Sequence, residues 1–220
     1  MVNWLLVKLK HLMDFNSFLT HISGLQNKPL GGIDSQFKMA PDIRKEIDFG
    51  SIVKPDAKSA AVLALFYPHK DNETYLLLTQ RASYNGTHSA QISFPGGKIE
   101  KSDPNLAYTA VRETYEETAV PMSDVSIIKE LTKTYIPPSN FWVSPFIASI
   151  QYRPEFIANH EVSTLIEVKL SDVLDDNAVV IKNMSTSYMK SVDVPCFKLN
   201  NYVVWGATAM ILSEIKDYLK

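Results

Sequence analysis

The chain has 220 residues, 45% of them hydrophobic and 21% charged. That length and balance suit one folded unit with a substantial core and exclude a disordered chain. Its formal net charge of −2, with no long basic run, excludes the footprint of a broad nucleic-acid binder but leaves room for a local basic pocket facing a small anion.

The amino-terminal stretch MVNWLLVKLKHLMDF has a short apolar part, and Lys8, Lys10 and His11 follow it rather than precede it. No apolar run approaches the roughly 20 residues that a spanning helix needs, so no membrane segment is expected. Residues 1–12 read as an extension ahead of a second start at Met13. Phe15, Phe18, Leu19, Ile22 and Leu25 recur at helical spacing and predict a helix over residues 14–25. A Pro/Gly-punctuated arm, PLGGIDSQFKMAPDIR, follows; residues 1–40 are expected to form this helix and arm, and residues 41–220 a single domain. The runs AAVLALFY (60–67) and YLLLTQR (75–81), separated by PHKDNE, predict an antiparallel strand pair.

A polar loop, ASYNGTHSA, leads through QISF to Phe94-Pro95-Gly96-Gly97. Residues 103–118 predict a helix, with Asp103 at the N-cap and Pro104 at the first helical position. Leu106, Ala107, Ala110, Val111 and Thr114 form its narrow buried stripe. Strands are expected at 124–135, 142–150, 162–168, 178–182 and 194–204, and a last helix at 207–219. Mixed strands with few helices indicate an α+β sandwich rather than a doubly wound sheet. The single cysteine, Cys196, can form no internal disulfide; it fits a reducing compartment and reads as a small core residue rather than a catalytic thiol. The chain ends DYLK, which is no peroxisomal or retention address, and a cytosolic location is expected.

The predicted central helix carries RETYEET, with Glu113, Glu116 and Glu117 inside five positions. Glu113 and Glu117 lie one turn apart on one face, Glu116 beside them, and Arg112 reaches Glu116 at i,i+4 spacing. Glu117 borders the buried stripe, where an ionised carboxylate needs a positive partner. One arginine is little compensation for three carboxylates. A divalent cation supplies the missing charge; magnesium favours a few carboxylate oxygens together with water and phosphate oxygens. Taken alone, RExxEE also describes a solvated acidic face. A Gly-Gly turn feeding that helix adds specificity, because consecutive glycines let the backbone approach a ligand closely.

Gly97-Lys-Ile-Glu-Lys-Ser-Asp103 followed by Arg112-Glu-Thr-Tyr-Glu-Glu-Thr-Ala-Val120 resembles the Nudix box. Asp103 replaces the first glutamate of that pattern, eight residues rather than seven precede Arg112, Thr114 stands at an aliphatic position and Ala119 at the glycine. The extra residue and the alanine are similar to the coenzyme A pyrophosphatase branch, as are the upstream stretch Leu77-Leu78-Thr79-Gln80-Arg81-Ala82 and the tail Val204-Trp205-Gly206. Gly86 and Ala90 depart from that branch, where an arginine and a glycine stand.

The resemblance implies a Nudix-type α/β/α sandwich with a mixed sheet. It also implies Mg2+- or Mn2+-dependent hydrolysis of the diphosphate of coenzyme A or acyl-coenzyme A, giving 4′-phosphopantetheine or its acyl form and adenosine 3′,5′-bisphosphate. The alternatives are another nucleoside diphosphate derivative, such as ADP-ribose or NADH, and a Nudix-fold nucleotide-binding protein without catalysis. By matching positions, the metal ligands are Glu113, Glu117, Glu116 and the Gly96 carbonyl. Glu116, Arg112 and Glu113 carry the catalytic work, with Glu116 a ligand or the base and Arg112 orienting a box carboxylate. Arg81, Lys98 and Gly97 are expected at the substrate. Asp103 reads equally as helix cap and box acid. Glu100 is a distal ligand or a solvent-exposed side chain, Glu161 a further catalytic carboxylate, and His88 and His160 bases or ordinary loop histidines. In YIPPSNFW (135–142), Tyr135, Phe141 and Trp142 either line the substrate channel or anchor the loop in the core.

Overall fold

The computed structural model describes residues 14–45, 53–70, 72–82, 91–185 and 191–220, apart from the side chain of Ile43. The amino-terminal extension and the loop bearing Gly86, His88 and Ala90 lie outside the described residues. Strand β1, Lys58–Pro68, is the spine of the molecule. Its sequence is almost continuously apolar because both of its faces are covered. Ala61, Leu63, Leu65 and Tyr67 point into one apolar cluster, and Ala64 and Phe66 into another on the opposite face. Each large aliphatic or aromatic side chain fully buried this way contributes roughly 1.5–3 kcal/mol.

β1 pairs antiparallel with β2, Thr74–Arg81, as expected, and with β4, Gly96–Lys98. On its other edge it runs parallel to β7, Phe141–Ser149, in register from Lys58 opposite Phe141 to Phe66 opposite Ser149. β2 also pairs with β3, Ile92–Ser93, and β8, Val162–Lys169. β7 pairs with β5, Ser126–Glu130, and β6, Thr134–Ile136. These strands make one mixed sheet. A separate antiparallel sheet holds β9, Val179–Met184, β10, Val192–Leu199, and β11, Tyr202–Val204.

Two expected single strands are broken. The run 124–135 divides into β5 and β6 because the chain turns inward between them: Leu131 N–H donates to the Pro145 carbonyl and Thr132 N–H to Glu214. The run 194–204 folds into the β10–β11 hairpin, whose turn residues Asn200 and Asn201 take φ of 48° and 66°. Asparagine tolerates that left-handed conformation, which two-residue hairpin turns demand.

The helices cover both faces of the large sheet. α1, Phe15–Gly24, is capped by Asp14, whose carboxylate accepts from Ser17 N–H at 3.0 Å. It buries Phe15, Phe18 and Ile22 in the same cluster as Phe66. The Pro/Gly-punctuated arm contains the short helix α2, Gly32–Phe37, and runs into α3, Asp42–Lys45. The central helix is α4, Leu106–Thr118, and it packs on the Ala61–Tyr67 face of β1 through Ala110 and Val111. A short helix, α5, Leu170–Leu174, follows β8. The last helix, α6, Gly206–Leu219, packs on the opposite face, so the α+β sandwich with a mixed sheet is the observed architecture. Cys196 is fully buried as a core residue. Among the described residues no helix is long and apolar enough to cross a membrane.

α2 is locked to α6 through Glu214, which has no exposed surface. Its carboxylate accepts from Gly32 N–H at 3.2 Å, Gln36 Nε2 at 2.9 Å, Thr132 N–H at 3.3 Å and Thr132 Oγ1 at 2.5 Å. Four donors satisfy a buried carboxylate that water cannot reach.

Candidate active site

α4 begins later than expected. Asn105 is the N-cap, its Oδ1 accepting from Tyr108 N–H at 2.9 Å, so neither Asp103 nor Pro104 occupies the position assigned to it. Asp103 is instead the seat of Arg112. Its carboxylate accepts from Arg112 Nε and Nη2, both at 2.9 Å, and from Thr109 Oγ1 and Glu100 N–H, also at 2.9 Å. The Asp103 side chain is fully covered. Its fork with Arg112, aided by these donors against the cost of burial, holds its pKa down at about 2. A bidentate fork fixes both the position and the plane of the guanidinium.

From that seat Arg112 reaches three more groups. Nη1 donates to both oxygens of Glu116 at 3.1 Å, and Nη2 to Glu113 Oε1 at 3.0 Å and to the Lys98 carbonyl at 3.2 Å. The expected Arg112–Glu116 pair is present, and the same arginine ties the helix to β4.

Glu117 sits deepest, 4% exposed. Gly96 N–H donates to its Oε2 at 3.2 Å and Arg81 Nη1 stands 3.8 Å from Oε1. Burial raises its pKa to about 7 against the pull of Arg81 and of that amide, and the charges of Glu113 and Glu161 push it up further. The pKa of Glu113 is also raised, by burial first; Arg112 pulls it back in part, and the charges of Glu116 and Glu161 raise it further. Arg81 donates through Nη2 to Glu161 at 3.1 Å, so Glu161 joins the helix carboxylates from the far side of β2.

The two glycines are required by contact. Gly96 has φ of +150°, and a Cβ there would meet the Ala61 carbonyl oxygen at 2.3 Å and Val62 Cα at 2.6 Å across the β1–β4 ladder. A Cβ on Gly97 would meet the Glu113 carboxylate at 2.5–2.6 Å. Glycine therefore lets a carboxylate lie directly on the strand backbone.

The remaining departures from the box pattern have local explanations. Thr114 is buried at its aliphatic position, and its hydroxyl is satisfied by the Ala110 carbonyl at 2.7 Å. Ala119 ends the helix in the left-handed conformation, φ 61°, its N–H bonded to the Tyr115 carbonyl. Glycine adopts that conformation without strain; alanine holds it here at a cost.

In front of β4 opens a cavity of about 370 Å3. Gly96, Gly97 and Lys98 form one wall, the 136–141 loop another, and Trp205 and Gly206 border it at the start of α6. Among the described residues, three cationic ones line it, Arg44, Arg81 and Lys98, and no acidic one does. Lys98 is exposed at its rim.

The YIPPSNFW segment divides its duties. Ile136, Pro138, Ser139 and Phe141 line the cavity, while Tyr135 is buried as an anchor, its hydroxyl bonded to Asn140 Oδ1 at 2.8 Å and its ring 5.3 Å from that of Trp142. Glu100 is solvent-exposed, as is His160 in the loop before β8. Arg44 escaped the sequence reading: it lies far upstream of the box, and nothing around it in APDIRKE distinguishes it from a surface arginine.

The donor set tests the case for a metal. Glu113, Glu117 and Glu161 are held near enough for their like charges to repel, and hard carboxylate oxygens are what Mg2+ and Mn2+ take. Among the described residues no three acidic, histidine or cysteine side chains already converge on one point to hold an ion. Arg112 draws Glu113 and Glu116 to itself, and Arg81 stands between Glu117 and Glu161. The carboxylates fit a dication by charge and chemistry, with the arginines as their partners in its absence.

The NUDIX domain family matches residues 57–185. An uncharacterized Nudix hydrolase, NudL, of Yersinia pestis (strain Pestoides F) is 32% identical over 153 residues, covering 65% of this chain and 71% of the relative. NudL of Yersinia pseudotuberculosis serotype O:1b (strain IP 31758) matches equally. Among solved structures, the Nudix hydrolase RenU of M. smegmatis superposes with a TM-score of 0.52 at 16% identity, covering 73% of this chain and 84% of that one, which is a likeness of fold.

Proposed function

The chain belongs to the Nudix hydrolase family, and from that premise we propose that it cleaves the diphosphate of coenzyme A or an acyl-coenzyme A in the presence of Mg2+ or Mn2+. The products are 4′-phosphopantetheine, or its acyl form, and adenosine 3′,5′-bisphosphate. One observation carries the reading: a carboxylate pair, the buried Glu117 and the half-buried Glu113, lies directly behind glycines that open onto a cation-lined cavity. A diphosphate seated against Gly96–Lys98 meets Arg81 and Lys98, while the apolar wall with Phe141 suits an adenine or pantetheine arm.

In this reading Glu113, Glu116, Glu117 and the Gly96 carbonyl hold the metal. When bound, the dication neutralises the diphosphate oxygens and lowers the pKa of the attacking water. The chain's own residues supply order. Asp103 fixes Arg112, and Arg112 fixes Glu116 and Glu113 in plane. Gly96 N–H orients Glu117. Glu161, held by Arg81, is one candidate base to accept a proton from water, and Glu116 is the other.

The absence of an arginine at position 86 favours a second substrate, ADP-ribose or NADH. A panel assay with Mg2+ and Mn2+ separates the two. Release of adenosine 3′,5′-bisphosphate from coenzyme A is the expected result, and activity confined to ADP-ribose or NADH refutes it. No turnover of any of them, with nucleotide still bound, assigns the chain to a binding role.

A further inference from the structure

Arg112 and Arg81 are held very differently. All three guanidinium nitrogens of Arg112 donate to carboxylates or to the Lys98 carbonyl. Arg81 donates through Nη2 to Glu161 Oε2 at 3.1 Å, and its Nη1 stands 3.8 Å from Glu117 Oε1, an ion pair too long for a hydrogen bond. Its Nε is buried and has no hydrogen-bond partner among the described residues. A buried donor without an acceptor is costly, and native proteins keep few of them.

The backbone that carries this loosely held tip is anchored. Arg81 closes β2, where its N–H donates to the Gln91 carbonyl at 3.0 Å and the Ala82 N–H to the Glu161 carbonyl at 2.7 Å. β8 carries one extra residue here, Ser163, between Thr164 and Val162, the partners of Gln80 and Arg81. A bulge beside a site re-aims a side chain. The guanidinium thus has access to two places: the Glu117–Glu161 pair that it joins here, and the cavity that it lines with Gly96, Gly97 and Lys98. Its charge is the chief offset to the burial of Glu117. A dication on Glu117 would supply that charge itself and repel a guanidinium beside it. We propose that Arg81 is a placeholder cation that changes partners: without metal it neutralises Glu117 and Glu161, and with metal it turns to the phosphates of the substrate, so that metal and diphosphate binding are coupled through one side chain. The proposal rests on the metal site of the reading above and not on coenzyme A as the substrate.

The experiment is calorimetric titration of the full chain in two parts. With Mn2+ alone, Arg81→Gln should bind the metal about fivefold or more tightly than wild type, because no guanidinium has to be displaced. Lys98→Gln, which removes one charge from the exposed rim, should stay within about twofold of wild type. The second ligand is adenosine 5′-(α,β-methylene)diphosphate, whose bridge is not hydrolysed. For it, Arg81→Gln should lose about tenfold in affinity at saturating Mn2+ but less than about threefold in EDTA, where the wild-type arginine is held by the carboxylates. Metal-free Arg81→Gln should melt below wild type, and Mn2+ should raise its Tm by more. Arg81→Lys, a charge without the fork, should lie between the two in both titrations, and it decides the matter if the glutamine variant does not fold. Equal or weaker Mn2+ binding by Arg81→Gln overturns the proposal. So does an equal loss of the analogue with and without metal, which marks a plain phosphate contact. No Mn2+ binding by any of these chains overturns the metal site and the proposal with it. The expected pattern with coenzyme A left intact refutes only the substrate reading and supports the exchange.

Discussion

Two glutamates of this chain are almost completely removed from water, and the protein treats them in opposite ways. Glu214 holds α2 and the β5–β6 turn against α6 and receives four hydrogen bonds, two from backbone amides. Glu117 receives one amide and a distant guanidinium, faces two other carboxylates, and has its pKa pushed up to about 7. A carboxylate that only builds the fold is surrounded by donors. One left short of donors, behind the glycines that face a cation-lined cavity, costs the fold stability and keeps negative charge that a cationic ligand would satisfy.

The sharpest break of this comparison is Glu117→Gln. If Glu117 holds the metal as proposed, this change should lower turnover at least a hundredfold, exceeding the effects typical of groups that only support a ligand. The same change should stabilise the metal-free protein. The sign follows from proton linkage. Glu117 ionises near the usual 4.5 in the unfolded chain and near 7 in the folded one, so the folded state binds more protons between those values. Stability therefore falls as pH rises from about 4.5 to 7, and the full cost, on the order of 3 kcal/mol, persists above that range. Thermal melting of wild type and Glu117→Gln without metal should diverge as pH rises, with the variant melting higher at pH 8. Adding Mn2+ should raise the wild-type Tm more than that of the variant. Coincident melting curves at all pH values would mean that Glu117 is not frustrated.

Glu214→Ala tests the other side. It leaves the Gly32 and Thr132 amides and the Gln36 side chain without their acceptor in a dry interface, at a cost of about 2.5 kcal/mol. Denaturant melts should show that loss, while kcat/KM per folded molecule stays within about twofold, since no Glu214 contact reaches the cavity. A large kcat/KM change at unchanged stability would reverse the roles assigned to the two glutamates.

How legible each region was follows from the range of its contacts. The box helix announced itself because its chemistry is local: Arg112, Glu113, Glu116 and Glu117 share one helix, and their spacing dictates which of them meet. The apolar runs of β1 and β2 were equally plain, since length and alternation mark a covered strand. Asp103 stayed open between cap and box acid because capping and ion pairing draw on the same side chain; the cap went to Asn105, and Arg112 nine positions on took Asp103. The β10–β11 hairpin had a readable signal in Asn200-Asn201, but the apolar residues on both sides suggested one continuous strand. The Glu214 clamp and Arg44 were not legible. Their partners lie up to 182 and 91 positions away, and only the packing of α6 and of the 136–141 loop brings them together.

The smallest test separates frustration that serves the site from strain that merely accompanies it. Ala119 closes α4 two residues after Glu117, in a left-handed conformation that costs a non-glycine residue roughly 1 kcal/mol. Its side chain makes none of the contacts that hold the carboxylates, so Ala119→Gly should relieve the strain and leave the site geometry alone. Part of the gain is returned through the greater freedom of glycine in the unfolded chain, so a net stabilisation of only about 0.3 kcal/mol is expected, with turnover unchanged. If activity falls while stability rises, the fixed direction of the helix end is itself part of how Glu117 is aimed, and the strain at Ala119 belongs with the site.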